Sequence, residues 1–352
     1  MSRLLDVEPG VTYAAAGVSI DGGDEAVRRI AATVASTNRA GVLGAIGGFG
    51  GLFHLGRDRF ADPVLVASAD GVGTKLEVAR LVGRYDTVGV DLVAMLVDDL
   101  VCVGAEPLFL LDYVALGTLD PARLEEIVGG IAAGCRVAST ALLGGETAEH
   151  GGVMRPDDLD LAGFAVGVLE RGAELGAHRV RPGDALVGFA SPGLRSNGYS
   201  LARRVLLSDP SALERRAYPG TTATLAEVLL EPSVIYAPAA LRALGARPDA
   251  VHAIAHVTGG GIVGNVARVL PGDLDAVIDL DGFATPEIFF EIQRRGPVSA
   301  HEMVRVFNCG LGMVLVVDPL AANDVIAIAG DHGVEATRVG RVEAGAGAVR
   351  LT

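Results

Sequence analysis

Pro63-Val64-Leu65-Val66-Ala67-Ser68-Ala69-Asp70-Gly71-Val72-Gly73-Thr74-Lys75 runs from an apolar stretch through a glycine turn to a lysine. The β-branched run 63–68 predicts a strand, and a helix is expected after the turn, to about Arg80. A turn between a strand and a helix leaves backbone N–H groups free to hold an anion. Gly71 and Gly73 permit positive φ and close approach of a ligand. Asp70 is a hard oxygen ligand of the kind Mg²⁺ takes, and Lys75 can meet a phosphate as a point charge. The spacing is neither the GxxxxGK[ST] loop nor GxGxxG. The same letters also suit an ordinary solvated turn, and local pattern leaves both readings open. Lys75 is the only lysine in the chain.

Outward from this stretch, helical and strand patterns alternate. Residues 25–36 have helical spacing, with Val27, Ile30, Ala31 and Val34 on one face and Asp24 placed as cap. A glycine-rich segment, 44–51, follows. Downstream come a buried helix at 87–103, a strand at 107–116, a helix at 121–139, a short strand at 141–143 and an alternating strand at 159–169. Residues 170–183 are polar and turn-rich, so the expected domains are 1–170 and 171–352. The second half reads as strand 185–190, helix 200–207, helix 233–244, strand 251–257, a helix opened by Gly259-Gly260-Gly261 and reaching 270, strand 312–317 and helix 320–330. This alternation predicts a mixed α/β (α+β) class with two domains.

Half of the 352 residues are apolar, and 43 acidic against 29 basic residues give a net charge of −14. Such a surface repels a phosphate backbone, which argues against nucleic acid as a partner but not against a small phosphorylated ligand. The apolar runs fall short of the roughly 20 residues of a membrane span. Met1-Ser2-Arg3-Leu4-Leu5-Asp6 does not open a secretory signal, so a cytoplasmic location is expected. Cys102, Cys135 and Cys309 are scattered and odd in number, and read as free thiols.

Three more segments carry chemistry. In the helix 87–103, Asp91 and Asp98 are seven residues apart and share a face, with Asp99 about 100° round. Carboxylates among so many apolar residues need a partner or a metal, unless this face is a solvent stripe. Gly144-Gly145-Glu146-Thr147-Ala148-Glu149-His150 follows a short strand, so Glu146 and Glu149 are candidate metal ligands or exposed turn acids. On the strand 251–257, His252 and His256 share a face. His256 is a candidate proton-transfer group, or a structural histidine, and the three glycines after it are a second candidate phosphate cradle. Ser196-Asn197-Gly198-Tyr199-Ser200 and 307–313 are further polar turns at element ends.

Taken in this order, these segments resemble the phosphoribosylformylglycinamidine cyclo-ligase (aminoimidazole ribonucleotide synthetase) family. The likeness begins at Tyr13-Ala14-Ala15-Ala16-Gly17-Val18 and includes Gly47-Gly48-Phe49-Gly50, 70–75, 86–95, 104–109, 144–149, 196–201, 252–261 and 307–313. It implies a two-domain PurM-like fold, with an N-terminal domain that pairs into a dimeric β-barrel and a C-terminal mixed sheet with flanking helices. It also implies a homodimer that uses ATP and Mg²⁺ to close a ring in formylglycinamidine ribonucleotide, a small-molecule substrate. By this likeness Asp70, Gly71, Val72, Gly73, Thr74, Lys75, Glu146, Thr147, Asn197, Gly259, Gly260 and Gly261 bind the nucleotide. Asp70, Asp91 and Asp99 take the metal, and Lys75 and His256 act in catalysis. The chain departs from the family pattern at Ala15, Ser19, Tyr85, Asp98 (often Asn), Gly151 and Arg195 (usually His). The alternative is a non-catalytic or altered-substrate ATP-binding paralogue. Selenophosphate synthetase, a relative by fold, would need a reactive Cys with a Lys near the start, and no Cys or Lys precedes Lys75.

Overall fold

The apolar runs of the first half pair into one sheet and those of the second half into another. The computed structural model describes residues 19–352; Ala15 and the rest of the 13–18 motif lie outside the described residues. A small ribbon of β1 (Val42–Leu43) and β2 (Leu52–Phe53) precedes the first sheet. That sheet has the order β3 (Pro63–Gly71), β6 (Leu159–Glu170), β4 (Glu106–Leu116), β5 (Ala141–Glu149). Its β4–β5 pair is parallel and its other two pairs are antiparallel. A parallel pair needs a crossover, supplied by α4 (Pro121–Val137). Before it come α1 (Ile20–Ala35), α2 (Lys75–Val82) and α3 (Val88–Cys102).

The second half holds a six-stranded sheet built from β7 (Ala185–Ala190), β8 (Val251–His256), β9 (Leu274–Ile278), β10 (Leu311–Val317), β11 (Ala336–Ala344) and β12 (Val349–Leu351). Their order is β12-β9-β11-β7-β10-β8. Its helices are α5 (Tyr199–Leu206), α6 (Leu225–Leu229), α7 (Ala237–Ala246), α8 (Gly261–Val266), α9 (Glu287–Arg295), α10 (Ala300–Val306) and α11 (Ala322–Asp331). No helix among the described residues is long and apolar enough to cross a membrane.

α3 is the central element. Twelve of its fifteen residues are buried, Asp91 and Asp98 among them. It packs on α4 almost backbone to backbone: a Cβ at Gly89 would lie 2.3 Å from the Ile131 nitrogen, and one at Gly130 would lie 2.2 Å from the Asp86 carbonyl.

Several elements differ from the sequence expectation. α1 begins at Ile20, because the Ser19 hydroxyl, not Asp24, accepts from the Gly22 N–H and caps it. β5 does not stop at Leu143. It pairs with β4 as far as Glu149, so Glu146 and Thr147 stand on a strand rather than in a loop. α7 starts at Ala237 because Ser233 is engaged elsewhere, as described below. The helix after the three glycines is α-helical over Gly261–Val266 and continues as a 3-10 turn over Ala267–Val269, close to the expected end at 270. β1, β2, β9, β11, β12, α6, α9 and α10 have no counterpart in the sequence expectation.

Gly89→Ala should unfold at lower urea concentration than the parent, with a loss of at least about 1–3 kcal/mol. An unchanged midpoint would mean that α3 and α4 do not touch at this point.

Candidate active site at the seam between the halves

The acidic side of α3 faces the second half. Asp91 is fully buried and its Oδ1 accepts from the Ser233 N–H (2.9 Å) and the Ser233 hydroxyl (2.6 Å). Its Oδ2 lies 2.6 Å from Lys75 Nζ. That ammonium, also fully buried, donates to the Glu231 carbonyl at 2.7 Å and sits 5.7 Å from the centre of the Tyr199 ring. Burial pushes the Lys75 amine below its ordinary range, and the Asp91 charge pulls it back up. This arrangement departs from the expected roles of Lys75 on phosphate and Asp91 on metal. Both groups are shut off from solvent and spent on each other and on the 231–233 backbone.

Seven residues on, Asp98 repeats the pattern. Its Oδ1 accepts from the Tyr236 and Ala237 N–H groups, both at 2.9 Å, where α7 begins. A carboxylate there also meets the positive end of the helix dipole. Its Oδ2 accepts from Arg195 Nη2 at 2.9 Å. Burial raises the Asp98 carboxyl, with the Arg195 charge opposing. Arg195 holds a left-handed backbone at φ 62°. Its Nη1 donates to the Val234 carbonyl at 2.7 Å, and the guanidinium lies 4.5 Å from the centre of the Tyr236 ring. Nη2 is also 2.9 Å from His256 Nε2.

Asp70 and Asp99 have no such cation. Asp99 Oδ1 accepts from His256 Nδ1 at 2.8 Å, its Oδ2 is 3.5 Å from the Ser68 hydroxyl, and its side chain is 43% exposed. Asp70 Oδ1 accepts from the Gly71 N–H at 2.7 Å. Burial lifts the Asp70 carboxyl above the usual range. The Gly71 N–H opposes that, and the like charge of Asp99 adds to it.

Beside these acids Gly73 turns at φ 67°, and the Thr74 hydroxyl is 3.0 Å from the Ser200 hydroxyl of the second half. A Cβ on Gly259 would be 3.4 Å from Asn197 Oδ1, and Gly260 takes φ 97° at the start of α8. Gly261 has a packing reason of its own, since a Cβ there would be 2.1 Å from the Val304 carbonyl. The Val72 side chain is core, and its N–H donates to the Leu161 carbonyl. Among the described residues no three acids, histidines or cysteines converge as a ready cage for a metal.

Glu146 and Thr147 lie elsewhere. They line a cleft of about 670 Å³ between the β5 edge, α1 and the 45–51 loop. One cross-strand row, Asp70–Gly163–Asp112–Gly145, joins the two regions. Leu92 and Leu96 of α3 sit on Gly163, at 3.2 and 2.8 Å from an added Cβ, and separate them. Glu149 is engaged on the backbone of the first half, its two oxygens accepting from the Ser19 and Leu119 N–H groups. Asp112, missed in the sequence, lines the cleft. Burial pushes its carboxyl up to about 7, with its own N–H opposing. The available signal was an acid between Leu110-Leu111 and Tyr113-Val114. Gly145 makes room for it, since a Cβ there would fall 1.5 Å from Asp112 Oδ1.

Residues 56–169 match the N-terminal domain model of the AIR synthase related proteins, and residues 181–351 match the C-terminal one. The phosphoribosylformylglycinamidine cyclo-ligase of Symbiobacterium thermophilum is 53% identical over 341 residues, 96% of each chain. The chain belongs to the phosphoribosylformylglycinamidine cyclo-ligase family.

Solved structures of other activities share the fold. Thiamine-monophosphate kinase from Stenotrophomonas maltophilia K279a superimposes with a TM-score of 0.66 at 21% identity, over 92% of this chain and 95% of that one. Hydrogenase maturation protein HypE in complex with ATP gives 0.61 at 16% identity, over 99% and 93%. Within the cyclo-ligase pattern the departures at Asp98 and Arg195 meet each other in the structure. They form one buried ion pair, so the added charges cancel.

Lys75→Met should cost about 3–5 kcal/mol, because it strands the Asp91 charge. Lys75→Met with Asp91→Asn should recover most of it in guanidinium unfolding, and equal losses in both would deny the pairing. Asp112 makes a pH prediction. Its folded-state pKa lies above the ordinary 3.8, at about 7. The folded state therefore binds the proton more tightly, and stability falls as pH rises across that window, by up to about 4 kcal/mol. Asp112→Asn should raise Tm at about pH 8 and flatten its slope down to about pH 5. An unaltered slope would deny a buried, titrating Asp112.

Proposed function

We propose that this chain converts formylglycinamidine ribonucleotide and ATP to aminoimidazole ribonucleotide, ADP and phosphate, in purine biosynthesis. The observation that carries the site reading is the balance of charge along the seam. Of four aspartates along the seam, Asp91 and Asp98 are buried; Asp91 is neutralised by Lys75 and Asp98 by Arg195. Asp70 and Asp99 remain, close enough for the charge of Asp99 to disfavour that of Asp70. Two uncompensated carboxylates suit a divalent cation that brings a nucleotide's phosphates. Asp70 and Asp99 would hold Mg²⁺, and Asp91 would not. When bound, the ion supplies neutralisation of charge on the phosphate oxygens.

The residues of the chain do the rest by position. The first N–H groups of α2, opened by Gly73 and Thr74, cradle phosphate. The formamide oxygen of the substrate attacks the γ-phosphorus and ADP leaves. The amidine nitrogen then attacks the activated carbon, and the C–O bond breaks with loss of phosphate. Ring closure is intramolecular, so holding the reactive conformer supplies much of the acceleration. Asn197 and Gly259, which adjoin each other, and Gly260 at the start of α8 are assigned to the nucleotide from the second half.

The homodimer is part of this reading. The face of the first sheet turned away from α3 exposes Leu65 (65%) and Phe164 (56%), an apolar surface that a second copy would cover in a shared barrel. The charge of −14 supports a small-molecule substrate rather than nucleic acid, and a role in purine biosynthesis suits a cytoplasmic enzyme. The 53% identity to a cyclo-ligase over 96% of the chain favours this reading over a non-catalytic paralogue, and Asp98 supplies the counter-charge that a buried Arg195 needs.

The test is turnover. Purified protein with formylglycinamidine ribonucleotide, ATP and Mg²⁺ should yield aminoimidazole ribonucleotide and ADP one to one. Asp70→Asn should lower the rate by roughly 100-fold or more with Tm preserved. ATP binding without either product would overturn the reading.

A further inference from the structure

We propose that His256 is a positioning residue: its Nδ1–H orients Asp99, and its Nε2 is held by Arg195 and takes no proton from the substrate. The inference rests on the assignment of Asp99, with Asp70, to the reacting centre. A guanidinium has donors only. With Arg195 Nη2 at 2.9 Å, His256 Nε2 must present its lone pair to that N–H. The proton of the neutral ring is then on Nδ1, which is 2.8 Å from Asp99 Oδ1 and donates to it. The tautomer is fixed from both ends, in the way that partner groups fix histidines around an active site.

Access gives a second, independent reason. The His256 side chain is 2% exposed, and Arg195, which closes it off, is 1% exposed. Asp98 Oδ2 stands 3.9 Å from Nε2 on the same side. A base must come within hydrogen-bond reach of the proton it removes. The one lone pair on this ring points into protein, at a group that already donates to it.

Arg195 is itself over-determined. It is fixed by Asp98, by the Val234 carbonyl and by the Tyr236 ring. Adjacent carboxylates of α3 are therefore read by one connected unit, Asp98 by Arg195 and Asp99 by His256. With Oδ1 of Asp99 occupied, Oδ2 is the oxygen left on the Ser68 side, toward β3 and Asp70.

The experiment compares His256→Asn with His256→Ala. The Asn amide can place an N–H near the position of Nδ1–H, but it offers no imidazole base. A positioning role predicts that His256→Asn stays within about 10-fold of the parent kcat. His256→Ala should fall by about 10- to 100-fold and need correspondingly more Mg²⁺ for half-activation. Asn as poor as Ala, with both variants folded by circular dichroism, would overturn the proposal.

A measurement on the unmutated enzyme stands apart from any folding defect. In ¹⁵N-histidine spectra, the resonance assigned through His256→Asn should show a protonated Nδ1 and a bare Nε2. The opposite tautomer sinks the idea. Asp99→Asn, run in parallel, separates the two levels. Full turnover in Asp99→Asn would remove Asp99 from the reacting centre and with it this role for His256. A dead Asp99→Asn beside equally poor Asn and Ala variants would remove only the positioning role.

Discussion

Burying two carboxylates on one helix is the constraint around which this molecule is organised. Asp91 and Asp98 are fully buried, and an ionised group there costs several kcal/mol unless it is paired and hydrogen-bonded. α3 belongs by sequence to the first half, yet every partner of these acids except Lys75 comes from the second. The apolar faces of α3 are used against its own sheet and α4, and its acidic face grips the 231–237 segment. The halves are therefore set against each other by directed bonds to Ser233, Tyr236, Ala237 and Arg195 rather than by apolar contact alone. Directed bonds fix register. The seam that carries Asp70, Asp99 and His256 inherits that register.

Adjacent positions on α3 are consequently divided between two tasks. Asp91 and Asp98 hold the halves together, while Asp99, one residue on and about 100° round the helix, keeps a half-exposed side chain at the seam. The pairing of Asp98 with Arg195 also explains why two departures from the family pattern occur together. An arginine at 195 facing an uncharged residue at 98 would be a buried cation without a counter-charge. Asp98 facing a neutral histidine would be a buried anion without one. Together they cancel.

The sequence made the helix 87–103 and the shared face of Asp91 and Asp98 legible, and physical reasoning said these acids needed partners. It did not say which, because periodicity along a chain carries no information on contacts made more than a hundred residues away. Lys75 was misread for the same reason. A lysine after a glycine turn reads as a phosphate-binding group, and only the fold shows the Glu231 carbonyl and Asp91 enclosing it. β5 was cut short because Gly144-Gly145 reads as a turn. In the sheet those glycines continue the strand, and Gly145 clears space for Asp112. β11, with Arg338, Arg341 and Glu343 along it, lacks the apolar run that marks β10. The strand-turn-helix around Asp70 was legible throughout, because it is local.

The only side-chain amine in this protein is sealed where the two halves meet. A reagent that acylates amines therefore has no lysine to attack until Glu231 and Asp91 draw away from Lys75. The rate of acylation at that position becomes a clock for transient separation of the halves, read from the mass shift of the one lysine-containing peptide. Most enzymes, with many surface lysines, bury such a signal in background labelling. Here composition and fold together leave one lysine reporter, at the joint whose opening would expose it.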